Sequence, residues 1–381
     1  MSFIPVTEME IAFWIFVIFS VYSYLLFPLS LIALTKIARR LWDKKDIRPN
    51  ITLVVSVYNE EKIIAKKLEN ALDLDYPTRQ LEILVVSDGS TDDTERIVRG
   101  FNNERLVLKA FKERSGKTAC LNRAVPEAQG EIILFTDANS MFPKDVLGKL
   151  VRNFADPEVG LVTGWTRYGE VDQAEDTTGI YSRFEKWTKV QESSVSSCVG
   201  ADGAVFAIRK DLYRILREDD INDFVIPLNV IRQGKRAVME PEVYCFEESA
   251  DEAGQEYQRQ VRITSRTLNA IRRNLEFLNP FRYGWFTYFL VSHKIMRFLV
   301  PFFLIASFGV NIMLLGTSRL YSFTFGCQLV LMAMGICGIL NIITGRVGEI
   351  AKFFLVTMLA QLSAWFRTFA GVSDTIWTPQ R

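Results

Sequence analysis

Polar residues with chemistry to offer recur in short clusters, each following a run of β-forming residues. Tyr58-Asn59-Glu60 follows ITLVVSV at 51–57, Ser87 to Asp92 follows LEILVV at 81–86, and Thr136-Asp137-Ala138-Asn139 follows EIILF at 131–135. In an open α/β sheet, ligands bind beyond the carboxyl ends of the strands, where such loops converge. A single Asp at a strand end is an ordinary helix cap, and Ser90 through Asp93 have the types that cap a following helix. Three polar clusters at successive strand ends point instead to a site, with Asp88 a member of it.

Asp137-Ala138-Asn139 sets a carboxylate and an amide oxygen two residues apart, so that both point to one side of a short extended turn. Such hard donors suit Mg2+ or Mn2+ shared with substrate phosphates. The plain alternative is a turn in which Asn139 adopts a strained conformation. Gly116-Lys117 opens a helical stretch, with Arg114 before it and Asn122 after it. A lysine there adds a cation where a helix N-terminus already favours anions; the bland reading is a solvated first-turn lysine. Gly200-Ala201-Asp202-Gly203-Ala204 is a small-residue segment whose backbone can approach a ligand closely. Asp219, Asp220 and Asp223 cluster before the helical pattern Phe224–Gln233. Asp223 is best placed at the helix start, where a functional carboxylate and a cap are equally good readings. Arg259, Arg262, Arg266, Arg272 and Arg273 stud a helical segment from Gln255 to Asn274. Such a basic amphipathic helix lies against lipid or offers guanidinium groups to a diphosphate.

The elements that must position these residues alternate. Ile51–Val57, Leu81–Val86, Leu106–Phe111 and Glu131–Phe135 are short, nearly continuous apolar runs that fit strands buried on both faces of a parallel sheet. Glu60–Leu72, Asp92–Phe101 and Lys117–Ala128 between them are helical patterns, which makes an open α/β sheet of βαβ units. There is no G-x-G-x-x-G, no Walker P-loop and no internal repeat in the sequence.

Composition narrows the function. With 45 Lys+Arg against 44 Asp+Glu over 381 residues, no bulk positive field recruits nucleic acid. The single histidine, His293, excludes Ser-His-Asp triads and H-E-x-x-H zinc sites within one chain. Five cysteines, two of them in an apolar run, argue for a reduced compartment without disulfides. Ile11 to Thr35 is an uncharged run of 25 residues, long enough to cross a bilayer. Lys36, Arg39, Arg40, Lys44, Lys45 and Arg48 follow it, while Glu8 and Glu10 precede it, so the N-terminus is expected outside and the following chain in the cytoplasm. The missing A-x-A-like site and basic n-region exclude a cleaved signal peptide. Phe298–Ser318 and Leu320–Gly345 read as a transmembrane hairpin. Phe353–Phe366, 14 residues long, reads as a short span, a re-entrant segment or an interfacial helix. Trp285 to Phe289 looks like an aromatic belt, with His293 a border residue. The expected organisation is a transmembrane helix and basic segment over 1–48, a cytoplasmic domain over 49–250, interface helices over 251–297 and a membrane region with a tail over 298–381.

Taken together, the motifs resemble those of the membrane-embedded, inverting glycosyltransferases of the cellulose, chitin and hyaluronan synthase type, whose fold is GT-A. Val57-Tyr58-Asn59-Glu60 is similar to the family's first nucleotide-binding strand end and Val86 to Asp92 to its second, which implies that Asp88 contacts the uracil or ribose of a UDP-sugar. Gly116-Lys117 with Ala119 and Asn122 resembles the G-K-x-x-A-L-N stretch, with Cys120 in place of an Ala. Asp137-Ala138-Asn139 stands where the family has its metal-binding D-x-D, with Asn139 for the second Asp. Asn222-Asp223 stands for Thr-Glu-Asp, which implies that Asp223 is the general base. The Q-x-x-R-W motif falls at Arg259–Ile263, where Arg262 is kept and Ile263 replaces the Trp that helps hold the acceptor sugar in processive synthases. The closing Trp377 to Arg381 looks like a terminal W-x-x-x-R motif, which favours a cytoplasmic tail and an interfacial third segment.

The resemblance thus implies a multi-pass membrane enzyme that transfers a sugar from a UDP-sugar, with inversion, to a growing polysaccharide. Tyr58, Glu60, Asp88, Lys117, Asp202, Arg259, Arg262 and Trp377 would bind substrate, Asp223 would act as base, and Asp137 with Asn139 would hold Mg2+ or Mn2+. Partners are then the donor, a carbohydrate or lipid-linked acceptor and the lipid bilayer, with no nucleic acid. Ile263 favours the alternative of a single sugar added to a lipid such as a polyprenyl phosphate or ceramide. A silent nucleotide-binding scaffold is the reading from another class.

Overall fold

The structure is a computed structural model that describes residues 5–169, 179–247 and 253–371. Elements follow in chain order: α1 (Val6–Val21), α2 (Phe27–Ile37), β1 (Ile51–Val57), α3 (Ile64–Leu72), β2 (Leu81–Asp88), α4 (Thr94–Gly100), β3 (Leu106–Phe111), α5 (Lys117–Ala124), β4 (Ile132–Asp137), α6 (Val146–Val151), β5 (Val159–Tyr168), α7 (Ile180–Ser193), β6 (Phe206–Arg209), α8 (Asn222–Arg232), β7 (Arg236–Glu247), α9 (Ala253–Arg273), α10 (Pro280–Tyr283), α11 (Trp285–Phe289), α12 (Met296–Met313), α13 (Arg319–Ile339) and α14 (Gly345–Phe369). The described residues divide into two compact units, 31–247 with Tyr283–Phe286, and 5–30, 253–282 and 287–371.

The first unit is a seven-stranded sheet in the order β3-β2-β1-β4-β6-β5-β7. Its strands run parallel except β6, which is antiparallel to both β4 and β5. β1 carries apolar residues on both faces, and Ile51, Leu53, Val54, Val55 and Val57 are all buried, as a central parallel strand requires. β1 and β3 have the boundaries expected from sequence. β2 and β4 run two residues further, to Asp88 and Asp137, because their polar ends stay in the ladder: Ser56 pairs Asp137 and Asp88 pairs Phe111.

Sequence periodicity does not reveal β5, β6, β7 or α7, and for β5 and β7 the reason is physical. β5 contains Gly160 and Gly164, which read as breaks, yet a Cβ on Gly164 would fall 2.5 Å from the Val243 carbonyl oxygen. Only glycine lets β5 and β7 approach there. β7 contains Glu240 and Pro241 beside a register shift against β5. Fully buried Glu240 takes Lys44 at 2.7 Å and Arg152 at 3.3 Å.

In the second unit, α9 buries Val261, Thr264, Leu268 and Ala270. It joins α14 through Tyr257 Oη and Ser363 Oγ, 2.7 Å apart, while the Ser265 hydroxyl donates to the Ala364 carbonyl at 3.4 Å. Across α12 and α13 the Asn311 amide lies 3.0 Å from both Thr324 Oγ1 and Gln328 Oε1. Among the described residues four helices are long and apolar enough to cross a membrane: Val6–Ile37, Trp285–Met313, Arg319–Ile339 and Gly345–Phe369. Two boundaries differ from the sequence reading. Trp285–Phe289 lies within a continuous helix of 29 residues rather than ahead of one. Phe353–Phe366 lies inside a helix of 25 residues that continues through Lys352 and Glu349, so its length matches a full span.

Candidate active site

The register of the sheet builds the site. Val57 pairs Ser87, and Ser56 pairs Asp137, so Tyr58, Asp88 and Asp137 stand at the carboxyl ends of their strands along one edge of the sheet. Antiparallel β6 brings its beginning to that same edge, because Phe206 pairs Phe135. Asp202 and Gly203, just before β6, therefore stand beside the Asp137 turn.

The β1 and β2 loops are tied to each other. Asn59, at φ +52°, accepts the Thr91 N–H at 2.8 Å, and its own N–H reaches Ser90 Oγ at 3.2 Å. The Glu60 N–H donates to Thr94 Oγ1 at 2.7 Å, and Glu60 itself is buried. The Arg114 guanidinium stacks 3.8 Å from the centroid of the Tyr58 ring.

Asp88 is buried and engaged. Its Oδ1 accepts the Ser115 N–H at 2.7 Å and the Cys120 thiol at 3.2 Å, while Oδ2 accepts the Gly116 N–H at 2.9 Å. The carboxylate thus clamps the turn that opens α5, where Gly116 adopts φ +89°. Burial pushes the Cys120 thiol up to about 12, so it stays protonated as the donor. The clamp delivers Lys117, whose ammonium lies 2.5 Å from Asp137 Oδ1. One residue on, the Thr118 hydroxyl donates to the Asp220 carbonyl at 3.0 Å, and the Asn122 side-chain amide holds Leu216 through its N–H and its carbonyl at 2.9 and 2.7 Å. α5 is therefore bonded to the segment that leads into α8.

Asp223 sits in the first turn of α8, whose N-cap is Ile221. The N-cap position itself belongs to Ile221, which makes no side-chain capping hydrogen bond. The Ala201 N–H donates to the Asp223 carbonyl at 2.7 Å, and a Cβ on Gly203 would lie 3.2 Å from Asp223 Oδ2. Asp202 is held by the Thr166 N–H and hydroxyl, both at 2.9 Å, and by the Ala204 N–H at 3.1 Å.

Two buried lysines, Lys67 and Lys189, escaped the sequence reading. Lys67 falls on the apolar stripe Ile64, Leu68, Ala71 of α3, and a lysine at such a position is the signal that could have found it. Lys189 of α7 donates to the Ala201 carbonyl at 3.2 Å. Burial opposes its charge, but Glu185, Asp202, Cys198 and Asp223 outweigh that and lift its pKa above the usual lysine value.

Tyr58, Glu60, Asp88, Lys117, Asp137, Asn139, Asp202 and Asp223 thus all belong to the first unit. Arg259 and Arg262 lie on α9 of the second unit. Trp377 lies outside the described residues. Asp137 and Asn139 fit a hard divalent cation. Both are half-exposed, Asp137 Oδ2 and the Asn139 amide take no hydrogen bond among the described residues, and no cluster of three or more His, Cys, Asp or Glu ligands forms there. Two oxygen donors leave coordination positions for phosphate oxygens and water, the usual arrangement for Mg2+.

Residues 52–215 match the family model described as Glycosyl transferase family 2. A β-monoglucosyldiacylglycerol synthase from Nostoc sp. (strain PCC 7120 / SAG 25.82 / UTEX 2576) is 36% identical over 118 residues, 30% of this chain and 25% of that protein. A poly-β-1,6-N-acetyl-D-glucosamine synthase from Staphylococcus aureus (strain COL) is 33% identical over 116 residues, 30% of this chain and 28% of that protein. The chain spans about a quarter of the length of these curated relatives. Among solved structures, a mannosyltransferase from Pyrobaculum calidifontis in complex with GDP-Man and Mn2+ superimposes with a TM-score of 0.73 at 23% identity, covering 94% of this chain and 99% of that one. That likeness is one of fold. Residues 52–215 are thus similar to glycosyl transferase family 2, and the fold shared with the solved mannosyltransferase is a mixed α/β sheet.

Proposed function

We propose that the chain is an integral membrane glycosyltransferase that moves a sugar from a UDP-sugar to an acceptor hydroxyl with inversion. The observation that carries this reading is the strand-edge constellation: the Lys117–Asp137 pair next to the Asp202-Gly203 turn, against which the Asp223 carboxylate packs. In the reaction the acceptor oxygen bonds to the anomeric carbon as the bond from that carbon to the diphosphate breaks. Asp223 takes the hydroxyl proton, and UDP departs with the electron pair. A positioned base of this kind contributes roughly 10²–10⁴-fold. Lys117 offers its ammonium to the leaving diphosphate, and Asp137 and Asn139 would hold a Mg2+ or Mn2+ whose charge stabilises that group. Tyr58, Glu60, Asp88, Asp202, Arg259, Arg262 and Trp377 complete the proposed substrate-binding set. Both curated relatives have names that carry a β-linkage, and a β-product from an α-linked nucleotide sugar is an inversion.

The acceptor is a growing polysaccharide in one reading and a membrane lipid in the other. Ile263, where processive relatives place a Trp, favours the lipid, and the two relatives' names divide in the same way. Four apolar helices support insertion in the membrane, with residues 49–250 in the cytoplasm on the basic side of the first helix. The test is Asp223→Asn, assayed for both transfer and donor binding. Retained UDP-sugar affinity with transfer lost is the expected result; turnover near that of the unmodified chain would sink the assignment of the base.

A further inference from the structure

Lys67 is fully buried on α3, between Ile64, Leu68 and Ala71. Its ammonium donates to Thr136 Oγ1 at 3.3 Å and to the Ser140 carbonyl, and it lies 4.1 Å from the centroid of the Phe142 ring. Thr136 and Ser140 bracket Asp137-Ala138-Asn139. One turn along α3, Asn70 satisfies both backbone groups of Phe142 at 2.8 Å each. From the other side, Met141 and Phe246 exchange backbone hydrogen bonds at 2.9 and 2.8 Å, and the Ser140 hydroxyl donates to Glu247 Oε1 at 2.5 Å. The turn is thus pinned from below by α3 and from the side by β7.

A buried lysine is costly, since water solvates its charge far better than protein does. Burial pushes its pKa down to about 8, against the pull of Cys245, Asp137 and Glu247. A methionine of the same length would fill the space without that cost. What methionine cannot do is bond the two ends of one turn at once.

We propose that Lys67 is a positioning residue for the divalent-cation site: it holds the turn so that Asp137 and Asn139 present their oxygens to one ion. This rests on the glycosyl-transfer reading, in which that turn binds the metal with the donor diphosphate. Lys67 acts through Thr136 and Ser140 and touches neither ion nor donor. Cation sites need their ligands held to within about 0.5 Å, which the second layer of contacts supplies.

The experiment uses the full chain in detergent, with Mn2+ and UDP as probes. Free Mn2+ is followed by electron paramagnetic resonance, and unfolding by thermal melting. Lys67→Met is expected to weaken Mn2+ binding in the presence of UDP by about 10- to 100-fold, the range for lost outer-layer contacts. Thr136→Val removes one of the two anchors at nearly constant volume and is expected to weaken it about threefold, a small share of that range. Leu68→Ala, on the same helix, is expected to lower the melting temperature and leave Mn2+ affinity unchanged. A folded Lys67→Met chain with unaltered Mn2+ affinity overturns the proposal. If Lys67→Met does not fold, unaltered affinity in Thr136→Val overturns it. Asp137→Ala separates the layers: Mn2+ affinity unchanged in that variant overturns the metal reading itself, and the role of Lys67 with it.

Discussion

Gly203 and the Asp223 carboxylate pack so closely that a single added carbon at position 203 would come within 3.2 Å of Oδ2 and 3.7 Å of Cγ. The contact is made across the turn that precedes β6, and the Ala201 N–H grips the Asp223 backbone from the same turn at 2.7 Å. Gly200, in the same stretch, takes φ +76° to start the turn. The small-residue segment therefore sets where the proposed base stands.

Gly203→Ala should displace that carboxylate by a few tenths of an ångström. Position 203 has no positive φ, so alanine is tolerated by the backbone itself. We expect turnover to fall about tenfold or more with the donor KM nearly unchanged, since small misplacements of a reacting group are costly. Steady-state kinetics alongside thermal melting check this; a lower melting temperature at full turnover would mean that the glycine serves packing alone.

The Lys117–Asp137 pair separates function from stability. Both side chains are about one-third exposed or more, at 33% and 40%. Exposed pairs of this kind contribute roughly 0–1 kcal/mol to folding. A charge-assisted bond to a bound phosphate is worth more, about 1.5–3 kcal/mol. Lys117→Met should therefore leave melting nearly unchanged while weakening UDP-sugar binding roughly 10- to 100-fold, as read by calorimetry. Equal loss in both measurements would place Lys117 in the fold and not at the donor.

Asp88 couples the two. Its carboxylate already receives the Ser115 and Gly116 N–H groups, and Asp88→Ala strands both in a buried turn. Each stranded donor costs about 1–3 kcal/mol, so the variant should melt at lower temperature as well as bind donor poorly. Asp88→Asn, which keeps one acceptor oxygen, should fall between the two. If Asp88→Ala changes nucleotide affinity and leaves melting untouched, the residue contacts the nucleoside directly and does not anchor the turn.

Much of this arrangement was legible in the sequence because short-range signals and fold logic agreed. Apolar runs such as ITLVVSV announce central strands, and polar clusters after them mark the edge where ligands bind. The remainder depended on contacts far apart in the chain. β5 and β7 hide behind Gly164 and Pro241, whose placement makes sense only when the partner strand is present. Lys67 reads as a surface residue by type, and only the turn 69 to 73 residues later explains its burial. Asp223 reads equally as cap or functional carboxylate from pattern alone, because the helix start is fixed only by the fold, which gives the N-cap position to Ile221. The length of α14 was missed because Lys352 seemed to end the apolar stretch, whereas the helix runs through it.

Lys67 also leaves a signature in the pH dependence of stability. Burial lowers its pKa from 10.5 to about 8 in the folded chain. Below pH 8 the amine is charged in both the folded and the unfolded chain, and the full cost of burying that charge weighs on folding. Between pH 8 and 10.5 the unfolded chain holds a proton that the folded chain has released, so this group makes stability rise with pH. The slope for a single group approaches about 1.4 kcal/mol per pH unit inside the window. Other groups titrate there too, so the informative quantity is the difference between the unmodified chain and Lys67→Met. Denaturant unfolding at pH 7.5 and 9.5 should show the unmodified chain gaining about 1–2 kcal/mol more than the variant over that interval. An identical pH response in the two chains would mean that the Lys67 amine keeps its proton in the folded state.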